Sequence, residues 1–346
     1  MQTDKPLVSI IIPIYNRANY LEKAIESVLK QTYENIEIIV SDNASTDNTM
    51  EVMQKYKDNP KIKYFRNKKN IGMAPNWKKA LYEYAKGEFA MILSDDDYLI
   101  DHNYIKEAVK SINKCNSKLA FSNCLQVFEK GGRIVKEELI EYKLAECNSG
   151  EDLFFLWRKN NNGKPFMILL QTVIFDRKIA TDEFEAFSNP IISTDFQLWL
   201  SFFAKRYSAS FINLTGAAYR IHSRSEAVRN RVSFKGWLDN FSCYTIPEQI
   251  AIKNFGKNKT VKHVNWMIRE SFKDLPGNII NFKNYREFKR ELDNYPRLKK
   301  EFYKALIFYP KALLKLILSS NENFYSAVRK LYWKYIKKDE LFLKEE

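Results

Sequence analysis

The stretch Leu7-Val8-Ser9-Ile10-Ile11-Ile12-Pro13 decides the class of fold. It is short, almost continuously apolar and rich in β-branched residues, which is typical of a strand buried on both faces of a parallel sheet. Apolar residues then recur at helical spacing across Tyr20–Lys30, and Asn19 is the expected N-cap. The alternation repeats, with further strands predicted at Ile36–Val40, Ile62–Phe65 and Phe89–Leu93, and helices at Thr46–Tyr56 and Ala74–Ala85, the former capped by Thr46 or Asp47. We therefore predict an α/β fold whose mostly parallel sheet carries helices on both faces.

The second half of the chain has a mixed pattern. We predict a helix at about Tyr104–Asn113, strands near Leu119–Phe128, an apolar stretch at Phe166–Phe175 and a helix at Ile192–Tyr207. From about Glu226 the sequence is rich in Lys, Asn and aromatic residues, with helical periodicity and no strong strand. This change divides the chain into an α/β domain over residues 1–225 and a basic helical region over 226–346.

The composition excludes several classes of protein. With 346 residues, 45% of them hydrophobic, the chain has ample material for a core, and disorder is excluded. The longest apolar run, Ala305–Leu318, is interrupted by Pro310, Lys311 and Lys315, so it falls short of the ~20 residues needed to span a bilayer. The start, Met1–Pro6, does not resemble a signal peptide. We expect a cytoplasmic protein.

The four cysteines are expected to be reduced thiols in the core. Cys115, Cys124, Cys147 and Cys243 are spaced neither as a disulfide framework nor as a close-spaced zinc site.

The positive charge of the chain is concentrated in its last third. The net charge is +14, and residues 226–346 contribute 25 Lys and Arg against 14 Asp and Glu. Lysines mixed with apolar residues at helical spacing across 303–338 leave two alternatives open: a helical bundle that packs on the catalytic domain or on a second subunit, or a peripheral contact with an anionic membrane surface. No nucleic-acid-binding motif accompanies the charge, so we expect no nucleic acid partner.

The predicted topology selects the loops in which a ligand would bind. In open parallel α/β sheets, ligands lie beyond the carboxyl ends of the strands. The loops at that edge are Pro13–Asn19, Ser41–Asp47, Arg66–Gly72 and Ser94–Tyr98.

Three consecutive carboxylates, Asp95, Asp96 and Asp97, follow the fourth strand. If the chain stays extended there, Asp95 and Asp97 point to one side and Asp96 to the other. Like charges crowded at a partly buried site favour a cation, and oxygen ligands favour Mg²⁺ or Mn²⁺. The alternative is a solvated acidic turn.

The loop Ser41–Asp47 combines hydroxyls and carboxylates that suit a base or ribose, and Tyr15 is able to lie along a base face. Alone, a loop such as Asp42–Asp47 is more often only a helix-capping segment. The chain contains no glycine-rich phosphate loop, so a metal and side chains would have to neutralise a bound phosphate.

Four motifs in order resemble those of family 2 glycosyltransferases with the GT-A fold, of the bacterial cell-surface polysaccharide type. They are Val8–Arg17, Val40–Thr49, Asn70–Gly72 and Leu93–Asp97. The resemblance is close over residues 6–100, looser over 101–225 and absent from the tail.

The resemblance implies an inverting, metal-dependent transfer of a hexosyl or N-acetylhexosaminyl group from a nucleotide-diphosphate donor, usually a UDP-sugar, to a hydroxyl of a glycan, glycolipid or wall polymer. Residues 1–100 would be the nucleotide-binding half and 101–225 the acceptor half. The nucleotide-sugar contacts it implies are Pro13, Tyr15, Asn16, Arg17, Asp42, Asn43, Asn70, Gly72, Asp95 and Asp96.

The metal ligands implied by the resemblance are Asp95, Asp97 and His222. Many family members read Asp-x-Asp-Asp, whereas Ser94 stands at the first of these positions here. The literal Asp-x-Asp motif is therefore Asp95 with Asp97, and which carboxylate contacts the metal stays open. Downstream, Tyr219–Ser225 resembles the family's Arg-x-His-x-x-Ser segment, which implies that Arg220, His222 and Arg224 contact the diphosphate.

The family carries its general base as an Asp at the start of a helix, and Thr194–Leu200 is similar, so Asp195 is the candidate catalytic residue. The alternative for Asp195 is an ordinary carboxylate stabilised by the helix dipole. Two rival functions remain: a sugar nucleotidyltransferase, which would release pyrophosphate, and a non-catalytic membrane-associated scaffold on a transferase fold. Oligomerisation is open.

Overall fold

The structure is a computed structural model that describes residues 5–188, 191, 193–225, 241–272, 290 and 292–308. The described residues form two compact units, the first ending at residue 260 and the second running from residue 261. The first unit therefore includes described residues beyond 225, where the composition changes. The boundary near residue 225 stays a prediction.

The strands and helices alternate in the first hundred residues, as the apolar pattern predicts. The strands are β1 Val8–Ile14, β2 Ile36–Asp42, β3 Ile62–Arg66, β4 Phe89–Ile92, β5 Tyr98–Leu99, β6 Leu119–Lys130, β7 Arg133–Ile140, β8 Cys147–Asn148, β9 Asn160–Asn161, β10 Lys164–Pro165, β11 Val173–Asp176 and β12 Ala209–Ile221. The helices are α1 Ala18–Leu29, α2 Thr49–Gln54, α3 Met73–Lys79, α4 Tyr104–Cys115, α5 Gly150–Leu156, α6 Thr194–Ala204, α7 Thr245–Phe255, α8 Lys257–Ser271 and α9 Pro296–Phe308.

The main sheet has the order β3-β2-β1-β4-β11-β6-β12-β5. Strands β3, β2, β1 and β4 are parallel, β11 is antiparallel to both of its neighbours, and β12 is parallel to β6. The expected mostly parallel α/β sheet is confirmed. Register places Ile14 opposite Asp42, and Asp42 opposite Arg66, so three strands end side by side at one edge.

The core explains why the first strands are continuous apolar runs. All seven residues of β1 and of β2 are buried, because helices cover both faces of the sheet. Helix α1 packs Leu21, Ile25 and Val28 against this sheet, and each of the three is fully buried. Full burial of such a side chain contributes about 1.5–3 kcal/mol relative to exposure, so this helix is fixed by packing.

The expected N-cap of α1 is wrong, and the reason is a long-range contact. The helix begins at Ala18, and the carboxylate of Asp47 accepts its backbone N–H at 2.9 Å. The other Asp47 oxygen accepts the backbone N–H of Thr49 at 3.2 Å, at the start of α2. One carboxylate therefore satisfies donors at two helix N-termini, and α2 is shorter than the predicted Thr46–Tyr56.

The expectation of four reduced thiols is wrong for two of the cysteines. Cys115, at the end of α4, and Cys147, in β8, form a disulfide with a Cα–Cα distance of 5.4 Å. Strand β12 brings them together: it pairs with β8 at Cys147, and its Ser210 hydroxyl donates to the α4 carbonyl of Ser111. Cys124 and Cys243 are buried, reduced thiols, as expected.

Among the described residues, no helix combines the length and apolar character needed to cross a bilayer. Most of the segment 303–338, which is expected at a membrane or at a second subunit, lies outside the described residues.

Candidate active site

The acidic cluster lies where β4 ends at the carboxyl edge of the sheet. Asp95, Asp96 and Asp97 are only 3%, 6% and 2% exposed, which excludes a solvated acidic turn. The backbone N–H of Asp97 donates to the Ser94 carbonyl at 3.0 Å, so the chain turns here. The chain is therefore not extended here, so the condition under which Asp95 and Asp97 would point to one side is not met.

Arg17, from the loop after β1, joins two of these carboxylates. Its Nη1 lies 3.0 Å from Asp95 Oδ1 and 3.1 Å from Asp96 Oδ2. The backbone N–H of Tyr15 donates to Asp95 Oδ2 at 3.4 Å. The structure thus brings together the loops after β1 and β4, which are 78 residues apart in sequence.

The end of β12 completes the cluster from a third side. His222 Nε2 lies 3.0 Å from the Asp96 oxygen that Arg17 also contacts. Since His222 Nδ1 accepts the backbone N–H of Arg224 at 3.2 Å, the neutral ring carries its proton on Nε2 and donates it to Asp96. The backbone N–H of Arg220 donates to Asp97 Oδ1 at 2.8 Å.

The guanidinium of Arg220 pairs with Glu129 and not with these carboxylates. Its Nε lies 3.3 Å from a Glu129 oxygen, and its central carbon lies 5.0 Å and 4.9 Å from the ring centres of Tyr20 and Tyr98. Sequence reasoning missed Glu129, Tyr20 and Tyr98, because they come from three separate elements and form no motif. Arg224 has an exposed side chain, and its carbonyl accepts from Arg17 Nη2 at 2.7 Å.

Burial shifts the acid–base behaviour of the cluster. It raises the pKa of both Asp95 and Asp97, and the negative charge of Asp96 raises them further. Arg17 opposes the shift in the pKa of Asp95. Asp97 forms no ion pair with another described residue.

A second network surrounds Asp42 at the end of β2. Its side chain, 1% exposed, accepts from the Tyr64 hydroxyl at 2.6 Å and the Ser45 backbone N–H at 2.8 Å. Arg66 Nε lies 3.2 Å from the same Asp42 oxygen that Tyr64 contacts. Arg66 lies in a loop that the sequence selected, but only its register opposite Asp42 identifies it.

Neighbouring polar residues hold the loops themselves. Asn43 donates to the Asn70 side chain at 2.8 Å and to the Gly72 carbonyl at 3.2 Å, and it accepts the Ile71 backbone N–H at 2.9 Å. Gly72 has a φ of +91°, which glycine tolerates best. The side-chain contacts of Asn43 therefore join the loop after β2 to the loop after β3.

The loop after β1 presents an aromatic ring. Pro13 is buried in β1, Asn16 accepts the Thr46 backbone N–H at 2.7 Å, and Tyr15 is 44% exposed. The ring of Tyr15 is thus accessible at the edge of the sheet where β2 ends at Asp42 and where Asp95 follows β4.

Asp195 lies in the first turn of α6. Burial raises the pKa of this half-buried carboxyl to about 7, although two backbone N–H groups, its own and that of Phe196, donate to it. It makes no ion pair within the described ranges, and none of its hydrogen bonds reaches the cluster around Asp95. Within the described part of the chain, no hydrogen bond or ion pair joins Asp195 to the other candidate residues.

The donor set of the cluster suits a hard divalent ion: three carboxylates and one imidazole lie in one network. Within the described part of the chain, no group of three or more His, Cys, Asp or Glu side chains is already arranged to hold a metal. At Asp95 and Asp96, the contacting cation is Arg17. The residues fit a metal chemically, but two of the carboxylates are paired with this side chain.

Comparison with known sequences identifies the family. The family model described as Glycosyl transferase family 2 matches residues 9–177. The GalNAc(5)-diNAcBac-PP-undecaprenol beta-1,3-glucosyltransferase of Campylobacter jejuni is 40% identical over 134 residues, 38% of this chain and 42% of the relative. The UDP-Glc:alpha-D-GlcNAc-diphosphoundecaprenol beta-1,3-glucosyltransferase WfaP of Escherichia coli is 32% identical over 225 residues, 63% of this chain and 79% of the relative. The chain thus spans less than half the length of the first of these relatives and most of the second.

Solved structures share the fold. S. aureus TarS 1–349 in complex with UDP-GlcNAc aligns with a TM-score of 0.54 and 16% identity, over 79% of this chain and 82% of that one. The mannosyltransferase PcManGT of Pyrobaculum calidifontis, in complex with GDP-Man and Mn²⁺, aligns with a TM-score of 0.54 and 15% identity, over 96% and 89%. Together with the family match and the Escherichia coli relative, the arrangement of the carboxylates at the strand ends leads to one conclusion: this chain belongs to glycosyl transferase family 2.

Proposed function

We propose that this chain transfers a sugar from a UDP-sugar to a hydroxyl of a lipid-linked glycan, with inversion at the anomeric carbon. The observation that carries the proposal is the buried cluster of Asp95, Asp96 and Asp97 at the carboxyl edge of the parallel strands, facing His222. The acceptor class follows from two relatives whose names specify sugars on diphosphoundecaprenol. Such an acceptor would place the chain at the cytoplasmic face of a membrane.

The nucleotide would lie over the loops after β1 and β2. Tyr15 offers an exposed ring for stacking on the base. The carboxylate of Asp42 has about four lone-pair sites. It accepts hydrogen bonds from Ser45 and Tyr64 and pairs with Arg66, so one site is left for a base N–H. Asn43, Asn70 and Gly72 would support this pocket through their contacts with one another.

The diphosphate would lie over the acidic cluster. Asp95, Asp97 and His222 would hold a divalent ion, Mn²⁺ or Mg²⁺, and the bound ion would neutralise charge on the leaving diphosphate. PcManGT, which shares the fold, contains Mn²⁺. The exposed side chain of Arg224 is available to contact the phosphates, whereas Arg220 acts through its backbone N–H to Asp97 and its pairing with Glu129.

Asp195 would deprotonate the acceptor hydroxyl. A general base works best when its pKa is close to the working pH, and burial raises the pKa of Asp195 to about 7. Among the described residues, no cation pairs with Asp195 and lowers its basicity. This supports the role of Asp195 over that of an ordinary helix-terminal carboxylate.

The test is a transfer assay with UDP-glucose, UDP-galactose and UDP-GlcNAc on a synthetic GlcNAc-diphosphoundecaprenol acceptor, with MnCl₂ or EDTA. We expect UDP release with one donor in the presence of MnCl₂, and a product of inverted anomeric configuration by NMR. In a parallel assay with UTP and a sugar 1-phosphate, formation of a UDP-sugar with release of pyrophosphate would indicate a nucleotidyltransferase instead. If no UDP-sugar stabilises the protein against heat and the protein binds liposomes, the result would indicate the non-catalytic membrane-associated scaffold.

A further inference from the structure

The position of Arg17 between two carboxylates has a consequence for metal binding. One nitrogen of its guanidinium lies 3.0 Å from Asp95 Oδ1 and 3.1 Å from Asp96 Oδ2. The side chains of Arg17, Asp95 and Asp96 are 15%, 5% and 8% exposed, so these charges are largely removed from water. Partly desolvated charges interact strongly and require compensation.

Arg17 is the cation that compensates this cluster. In the described part of the chain, the salt-bridge partners of Asp95 and Asp96 are Arg17 and, when protonated, His222. The guanidinium of Arg220 pairs with Glu129 instead. Asp97 receives a backbone N–H but no side-chain cation from a described residue.

A divalent ion and this guanidinium require the same oxygens. Mg²⁺ binds carboxylate oxygens at about 2.0–2.1 Å and prefers near-octahedral geometry. An ion held by Asp95, Asp97 and His222 would share Asp95 with the positive guanidinium of Arg17, and His222 already contacts the Asp96 oxygen that Arg17 contacts. The two cations repel each other, so full occupancy by one requires departure of the other.

We propose that Arg17 is a displaceable counter-ion, which neutralises Asp95 and Asp96 and leaves them when the divalent ion binds. This inference rests on the proposed function, because it concerns the metal of the donor site. Arg17 is a positioning residue: it sets the affinity for the ion and acts on the reaction through it. Its Nη2 donates to the Arg224 carbonyl, so its departure also releases the segment that follows β12.

The experiment measures Mn²⁺ affinity directly, with MnCl₂ alone and no nucleotide. The EPR signal of free Mn²⁺ is recorded during titration of the wild type, Arg17→Gln and Arg17→Lys. We expect Arg17→Gln to bind Mn²⁺ at least tenfold more tightly than the wild type, because the competing charge is gone. Arg17→Lys keeps the charge but loses the planar fork, so its affinity should lie between the two. Unchanged or weaker binding by a folded Arg17→Gln overturns the proposal.

The matched control is Lys55→Gln, which removes the same charge from an exposed pair with Glu22. We expect the Mn²⁺ affinity of this variant to equal that of the wild type. If Lys55→Gln increases the Mn²⁺ affinity as much as Arg17→Gln does, the effect comes from net charge in general, and the proposal is overturned.

A second measurement uses the wild-type protein and so does not depend on the folding of any variant. Phenylglyoxal modifies accessible guanidinium groups, and mass spectrometry reports the rate at Arg17. We expect saturating MnCl₂ to increase this rate several-fold, whereas an unchanged rate with bound Mn²⁺ contradicts displacement. Both readouts are independent of sugar transfer, so a protein that transfers no sugar still answers the question about Arg17.

Discussion

Two carboxylate sites of this chain differ in what surrounds them. At Asp95 and Asp97, burial and the neighbouring charge of Asp96 raise the pKa, and Arg17 and His222 provide compensating contacts. At Asp195, burial alone raises the pKa, and the opposing contacts are two backbone N–H groups. The first environment is suited to holding positive charge, and the second to accepting a proton.

Asp195→Asn tests this difference with the largest expected effect. General-base catalysis contributes about 10²–10⁴-fold, so we expect transfer to fall by about 10³-fold. Affinity for UDP with Mn²⁺ should change less than about twofold, because Asp195 does not contact the acidic cluster. Both quantities are measured by transfer kinetics and calorimetry.

The control for this substitution is Asp152→Asn, at an exposed carboxylate that also lies in the first turn of a helix, α5. It should retain full transfer. If Asp195→Asn also retains transfer, Asp195 is an ordinary helix-terminal carboxylate.

Asp97→Ala tests the other site. Loss of a metal ligand should weaken Mn²⁺-dependent UDP binding by about 10–100-fold, whereas binding in EDTA should change little. Calorimetry with and without MnCl₂ separates the two. Asp58→Ala, at an exposed loop residue, is the control. If Asp97→Ala lowers the affinity for UDP equally with Mn²⁺ and with EDTA, the result would argue against a metal at Asp97.

The pH dependence sharpens the comparison further. Because the pKa of Asp195 is about 7, kcat/KM should fall about tenfold per pH unit below that value as the base becomes protonated. The folded-state pKa is above the unfolded value of about 3.9, so the contribution of this group to folding stability decreases as pH rises from about 4 to 7. Asp195→Asn should reduce that decrease in a series of thermal denaturations. A rate profile that is flat from pH 5 to 8 would contradict the assignment of the base.

Glu129→Gln is expected to have the smallest effect. The Arg220–Glu129 pair is largely buried, and Gln keeps an acceptor for the Arg220 guanidinium. The effect on Mn²⁺-dependent UDP affinity is indirect, through less precise placement of the Arg220 backbone N–H on Asp97, so we expect a loss of about fivefold, which is about 1 kcal/mol. Glu137→Gln, at an exposed residue of β7, is the control. A loss as large as that of Asp97→Ala would give Glu129 a direct role in binding.

The loops that form the site follow from the local sequence. Runs such as Val8–Ile14 are buried on both faces, so their apolar continuity predicts parallel strands, and the residues after them must meet at one edge. The acidic cluster and the Tyr15 and Asp42 loops were found in this way. The turn at Asp95–Asp97 was not predicted. Side chains alternate in direction only while the backbone stays extended, and here the backbone turns after β4 ends.

By itself, the sequence determined the α/β class, the alternation of the first strands and helices along the chain, and the family, because periodicity and short motifs are local properties of the chain. Only the tertiary structure decided which charges meet. Arg17 pairs with Asp95 across 78 residues, Glu129 pairs with Arg220, and Cys115 joins Cys147 because β12 carries one partner to the other. Such pairs depend on strand order and register, and residues distant in sequence carry no local pattern that specifies them.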